Sequence, residues 1–271
     1  MRKYVVTLLA VASLAAVIVA VAGAGSAKIT PPAKIAKAGK IVWCSDIEYP
    51  PLELFQGSKA VGADIDIATG IATAMGVKAE FKNVVFDSII AALLTKKCDA
   101  IISSMNDTAE RRKVVDFVDY LKVGQSLMVK KGNPKHISTL ESLGEKTVSV
   151  QSGTTMRQFL AATSARLVKQ GKKGFSIKTF PKDTDAISAL KAGRVDAYFA
   201  DSPVVAYYAL KDPSLAIAGA PISPLPYGIA IRKHDPLRAA VQKAVRQLYA
   251  TGAMRRIVGK WGMLRAVAFL K

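Results

Sequence analysis

Two stretches of this chain carry the same pattern, and that pattern limits the folds open to it. Residues 87–104 read as a helix, a basic turn at Lys96 and Lys97, an aspartate (Asp99), a short apolar strand and a polar loop. Residues 185–202 repeat that order with one residue fewer between the leading aspartate and the one before the strand, with Arg194 in the turn, Asp196 before the strand and Asp201 at its end. Residues 40–43 before a polar loop are echoed by 146–150 in the same way. A helix that feeds a strand needs a crossover connection, and crossovers build α/β folds with mainly parallel sheets. Two copies read as two lobes, each with polar loops at the carboxyl ends of its strands, where open α/β sheets bind ligands.

The remaining periodicity fits that plan. Helices are expected within 61–75, 86–94, 156–170, 184–192, 201–210, 236–250 and 253–261, with a short one at 138–144. Strands are expected at 77–84, 123–130, 175–180, 195–200 and 227–231. Residues 28–39, with Pro31 and Pro32 among alternating Ala and Lys, are expected to be a flexible leader.

The 271 residues are enough for two lobes with real cores. Residues 1–27 are read as a secretory signal: Arg2 and Lys3 precede an apolar run over 5–21, and small residues follow at 22–27. An uncleaved anchor is the alternative, because the run is long for a signal core. No cysteine lies near the junction, so there is no lipid-attachment site. The formal net charge is +19, and removing Arg2 and Lys3 leaves +17. The basic residues are scattered and not interleaved with aromatics, which argues against a nucleic-acid partner. Cys44 and Cys98 form one disulfide or stay as buried thiols. His136 and His234 are isolated, so neither a metal nor another cofactor is assigned.

The loop at 103–112 carries the most chemistry. Ser103, Ser104, Asn106 and Thr108 offer hydrogen bonds, Asp107 and Glu110 have the spacing of a capping box, and Arg111 falls in the first turn of the expected helix. A cation is disfavoured there by the helix dipole. Its placement suits either an anion site or a solvated basic face with Arg112 and Lys113.

Several pieces together resemble the polar amino-acid substrate-binding proteins of bacterial ABC transporters, the group of the glutamine-, histidine- and lysine/arginine/ornithine-binding proteins. They are residues 45–51, 61–67, 86–90, 99–105 with Thr108 and Arg111, 114–117, 150–155, 196–201, 227–230 and 260–262, in the family's order. The resemblance implies a two-lobed periplasmic-binding-protein-like fold whose ligand cleft lies between lobes joined by two crossovers, near 123–125 and near Pro226. Lobe 1 would take 34–123 and 226–271, and lobe 2 would take 124–225. It implies a monomer that is exported, to the periplasm or outer cell surface, and that hands a free polar L-amino acid to an ABC permease without catalysis.

Residue roles follow by the same resemblance. Arg111 holds the ligand α-carboxylate, helped by Thr154 and Thr155. Asp201 receives the α-ammonium, with Ser103 beside it. Tyr49 and Phe86 sandwich the side chain, and Asp46 meets its far end. Gln151 stands where glutamine-binding members have lysine. Ser104 and Asn106 complete the loop, although the family usually has Ser or Thr at 106 and an apolar residue at Asp107. Glu48 is a further acid that would favour a cationic side chain if it faced the cleft, which leans the ligand towards basic or uncharged polar. A dehydratase on the same scaffold, with Glu48 as its acid, and a sensor component delivering to a receptor are the alternatives.

Overall fold

Two lobes share one continuous sheet in the computed structural model, which describes residues 28–270. The signal expected over 1–27 lies outside the described residues. In the first lobe, α1 (Ala33–Ala38) precedes β1 (Lys40–Ser45), a hairpin of β2 (Leu54–Gln56) and β3 (Lys59–Val61), α2 (Ala63–Ala74), β4 (Lys78–Asn83), α3 (Ile89–Leu94) and β5 (Ala100–Ile101). Strand β1 runs parallel between β4 and β5. After the long β6 (Val115–Lys130), the second lobe has β7 (Thr147–Gln151), α4 (Thr155–Lys169), β8 (Ser176–Phe180), α5 (Asp183–Lys191), β9 (Ala197–Asp201) and α6 (Ser202–Lys211). There β7 lies parallel between β8 and β9. The chain returns along β10 (Leu215–Arg232) and closes with α7 (Leu237–Ala250), α8 (Ala253–Lys260) and β11 (Val267–Ala268).

Strands β6 and β10 are antiparallel to each other and run through both lobes. The carboxyl half of each meets a different lobe: β10 pairs β5 at Ala230–Ile101, while β6 pairs β9 at Gln125–Asp201. Between the two, the register breaks at Ala218–Ile222, Ile222–Leu225 and Tyr227–Gly228. Bulges of this kind bend a ribbon and raise its twist, which lets one pair of strands serve two sheets that face each other.

The repeat seen in the sequence has a physical cause. Asp99 binds the preceding strand at two points: its N–H donates to the Val42 carbonyl at 2.7 Å, and its carboxylate accepts the Val42 N–H at 3.0 Å. Asp196 does the same to Thr147, at 2.8 and 2.9 Å. Each aspartate therefore fixes the register of a parallel strand as it leaves the crossover. The disulfide Cys44–Cys98 is formed, tying β1 to the turn before β5 within a buried cluster of Ile89, Leu93, Ile101 and Phe117.

Three expectations need correction. Residues 28–39 are not a flexible leader throughout: α1 forms at Ala33–Ala38, Ile35 is buried at 3% exposure, and Gly39 closes the helix at φ +65°. The helix expected after Asp107 is a single 3-10 turn, Arg111–Lys113, without a capping box. The Asp107 carboxylate goes to Arg112 and Glu110 to Lys113, so Thr108 Oγ1 accepts the Arg111 N–H at 3.2 Å. The strand expected from Tyr227 begins at Leu215, because the crossover itself is extended.

Candidate functional site

Parallel strands present their carboxyl ends to the gap between the lobes, and a narrow cleft lies there. Its first wall comes from the loop after β1 (Asp46, Tyr49, Glu53), from Phe86, and from the loop after β5 (Ser103, Ser104, Asn106, Arg111). The opposite wall is the β7–α4 junction (Gln151, Thr154, Thr155, Met156) and Asp201 at the end of β9. Every residue assigned to the ligand from the sequence lines this space, Glu48 excepted.

Arg111 stands at one corner. Its Nη1 donates to the Asn106 carbonyl at 2.8 Å and its Nη2 to the Gly153 carbonyl across the gap at 3.1 Å. The guanidinium lies over the Phe86 ring, 5.4 Å from its centre. Burial lowers its pKa to about 10, opposed by the charge of Asp201, so it stays a cation at any physiological pH. The chain folds locally to meet it. Gly153 has φ +72°, and a Cβ there would come within 2.6 Å of Asp87. Thr154 caps α4, accepting the Arg157 N–H at 3.3 Å, so the start of a fifteen-residue helix is aimed at the same corner. Thr155 Oγ1 donates to Asn106 Oδ1 at 2.6 Å, which leaves the buried Asn106 Nδ2 without a partner.

Asp201 occupies the facing corner. Its Oδ2 accepts the Tyr49 hydroxyl at 3.0 Å, and the same hydroxyl accepts the Asp201 N–H at 3.1 Å. Its Oδ1 is buried and has no partner. Burial pushes the carboxyl up to about 7, while the Tyr49 hydroxyl and the Arg111 charge pull it back. The Tyr227 hydroxyl is itself buried and makes no hydrogen bond in this geometry.

A second acidic region sits deeper in the first wall. Asp46 accepts Gln151 Nε2 at 2.6 Å and the Phe86 N–H at 3.3 Å. Burial raises it to about 6, against the pull of Gln151. Glu53 accepts the hydroxyls of Ser103 at 3.0 Å and Ser104 at 3.5 Å. Burial and the adjacent Asp64 hold its carboxyl well above the usual range. Asp64 in turn accepts the Tyr120 hydroxyl at 2.8 Å and the Ser104 N–H at 2.7 Å. The sequence reading missed Glu53 and Met156. The signal for Glu53 was available: a carboxylate flanked by Leu52 and Leu54 is an acid inside an apolar run.

Glu48 is the correction. It does not line the cleft. It spans the gap outside it, where Oε1 accepts Lys182 Nζ at 2.6 Å and Oε2 accepts Thr184 Oγ1 at 3.0 Å. The loop turns at Pro50 and Pro51 back to Glu53, which faces Glu48 outward and Tyr49 inward. Among the described residues, no group of three or more His, Cys, Asp or Glu is placed to hold a metal ion.

The cleft thus offers a cation with free donors at one corner and an unpartnered carboxylate oxygen at the other. The profile of the family "Bacterial extracellular solute-binding proteins, family 3" matches residues 41–263. The L-cystine-binding protein TcyJ of Escherichia coli K12 is 30% identical over 233 residues, covering 84% of each chain. The ABC transporter glutamine-binding protein GlnH of Bacillus subtilis 168 is 33% identical over 205 residues, 74% of this chain and 72% of the relative. Among solved structures, an ancestral arginine-binding protein bound to arginine superposes with a TM-score of 0.77 at 38% identity, over 82% of this chain and 98% of that one.

Proposed function

Because the chain belongs to the bacterial extracellular solute-binding proteins of family 3, we propose that it captures a free L-amino acid between its lobes and delivers it to an ABC permease. One observation carries this reading: a buried Asp201 with an unpartnered oxygen and the Arg111 guanidinium line the same cleft. A zwitterion satisfies both. The α-carboxylate takes Arg111, the start of α4 and Asn106 Nδ2; the α-ammonium takes Asp201 Oδ1, with Ser103 beside it. Tyr49 and Phe86 pack on the side chain. Asp46, Glu53 and Gln151 meet its far end, which favours a basic or uncharged polar side chain over an acidic one.

The lobes close by bending β6 and β10 where their register breaks, near residues 123–125 and 226, and the permease reads the closed form. Export, with residues 1–27 as the signal, places the protein where the permease can receive it. Catalysis is not part of this reading: Glu48, the acid considered for a dehydratase, is engaged by Lys182 and Thr184 outside the cleft. The test is a thermal-shift and calorimetric screen of the standard amino acids on protein refolded without ligand. A rise in melting temperature with basic or uncharged polar members is expected. No response to any amino acid would refute the proposal.

A further inference from the structure

The last stretch of the chain, residues 236–270, contains no aspartate or glutamate. It exposes Arg238, Lys243 and Arg246 on α7, Arg255 and Arg256 on α8, and Arg265 beyond it. Among the described residues none of these has a carboxylate within 4.0 Å, whereas Lys260 pairs with Asp66 at 2.7 Å. The carboxylates nearest this face are committed elsewhere: Asp107 to Arg112, Asp116 to Lys233 and Asp235 to Arg232. Asp119 alone lines the groove beside α7, 4.0 Å from Arg112.

Three of these charges stand at one groove. Arg238 and Arg246 edge the groove that Val245, Tyr249 and Leu270 line. Phe269 meets the Tyr249 ring edge-on at 6.3 Å, and Arg255 lies 5.8 Å over Phe269. The cationic end of α8 therefore stands at the same groove. Tyr249, Phe269 and Leu270 are half-buried, so the cations stand proud of them and suit the headgroups of an anionic lipid surface, with the aromatic edges behind.

We propose that the α7–α8 face docks on an anionic phospholipid bilayer. The contact is electrostatic and reversible, so it holds the protein at the membrane surface without inserting it. Each basic residue near such a surface raises partitioning about fivefold, so neutralising three lowers it about a hundredfold.

The test compares the protein, as an exporting host leaves it, with two triple variants of equal net charge. One is Arg246→Gln/Arg255→Gln/Arg256→Gln. The other is Lys169→Gln/Lys172→Gln/Lys178→Gln, exposed positions on the second lobe. Co-sedimentation uses vesicles of phosphatidylglycerol and phosphatidylcholine in equal parts, with pure phosphatidylcholine subtracting any binding through the N-terminal run. The parent is expected to bind the mixed vesicles in low salt and to release in high salt. The α7–α8 variant is expected to lose about a hundredfold in binding while keeping its melting temperature, and the second variant to stay within about threefold of the parent. Equal losses in both variants would reduce the effect to net charge and overturn the proposal. So would absence of binding to the mixed vesicles, or complete competition by inorganic phosphate at matched ionic strength, which would mark a small-anion site instead.

Discussion

Asp201→Asn separates what the carboxylate does for binding from what it costs the empty protein. In the unliganded cleft, burial raises the Asp201 pKa from 3.8 to about 7. At about 1.4 kcal/mol per pH unit, that gap corresponds to about 4 kcal/mol against the ionised form. The sign follows from proton linkage. Below about pH 4 the carboxyl is protonated in both the folded and unfolded chains and costs nothing. Between about pH 4 and 7 the unfolded chain releases the proton while the folded chain keeps it, so stability falls as pH rises. Above about 7 the loss is complete. The variant's amide cannot titrate, so unliganded Asp201→Asn is expected to gain on the parent from pH 4 to 8, by up to about 4 kcal/mol in urea unfolding. Binding moves the other way. The α-ammonium loses its charged partner, which costs about 2–5 kcal/mol, or roughly thirtyfold to several thousandfold in Kd by calorimetry. The parent's affinity is expected to rise about tenfold per pH unit from pH 5 to 7 and then level off, whereas the variant's has no such rise. Unchanged amino-acid affinity in Asp201→Asn, or unliganded stabilities that run parallel across that pH range, would refute the assignment.

Arg111→Lys keeps the charge but loses the planar fork, and affinity for every amino acid that binds is expected to drop by about 2 kcal/mol, or roughly thirtyfold, in calorimetry. Glu48→Gln and Lys182→Met remove a partly exposed pair outside the cleft, so affinity is expected to change less than about fivefold and the ranking of amino acids not at all. A changed ranking in a competition screen would return Glu48 to the site. Cys44→Ser/Cys98→Ser opens a loop spanning 54 residues, and loop entropy sets the loss at about 4 kcal/mol in unfolding experiments. Amino-acid affinity at low temperature is expected to survive it, because the bridge joins β1 to the turn before β5 and not the cleft wall.

Local patterns made much of this protein legible before any coordinates. The echo of 87–104 in 185–202 announced two lobes, because each copy contains the helix, turn and strand of one crossover. Asp99 and Asp196 show why those positions matter: each closes a two-point contact to a neighbouring strand. The polar loops at strand ends were readable too, since their side chains break apolar runs. Arg111, Thr155 and Asp201 were assigned to one site through the family resemblance, and they line one cleft where strand ends converge.

What the sequence could not decide depends on distant partners. The helix expected after Asp107 failed because Arg112 and Lys113 draw away the two acids that would have capped it. Glu48 and Tyr49 are neighbours, yet the turn through Pro50 and Pro51 sends one to the rim and the other to Asp201. The cysteine pairing needed β1 and β5 side by side. Glu53 entered the site only because the chain doubles back against Tyr49. Periodicity and residue type determined by themselves the lobes, their strands and the loops that carry chemistry, since those are short-range properties of the backbone. Tertiary structure alone decided which carboxylates face the cleft and which are buried without partners, because orientation and desolvation depend on segments far apart in the chain.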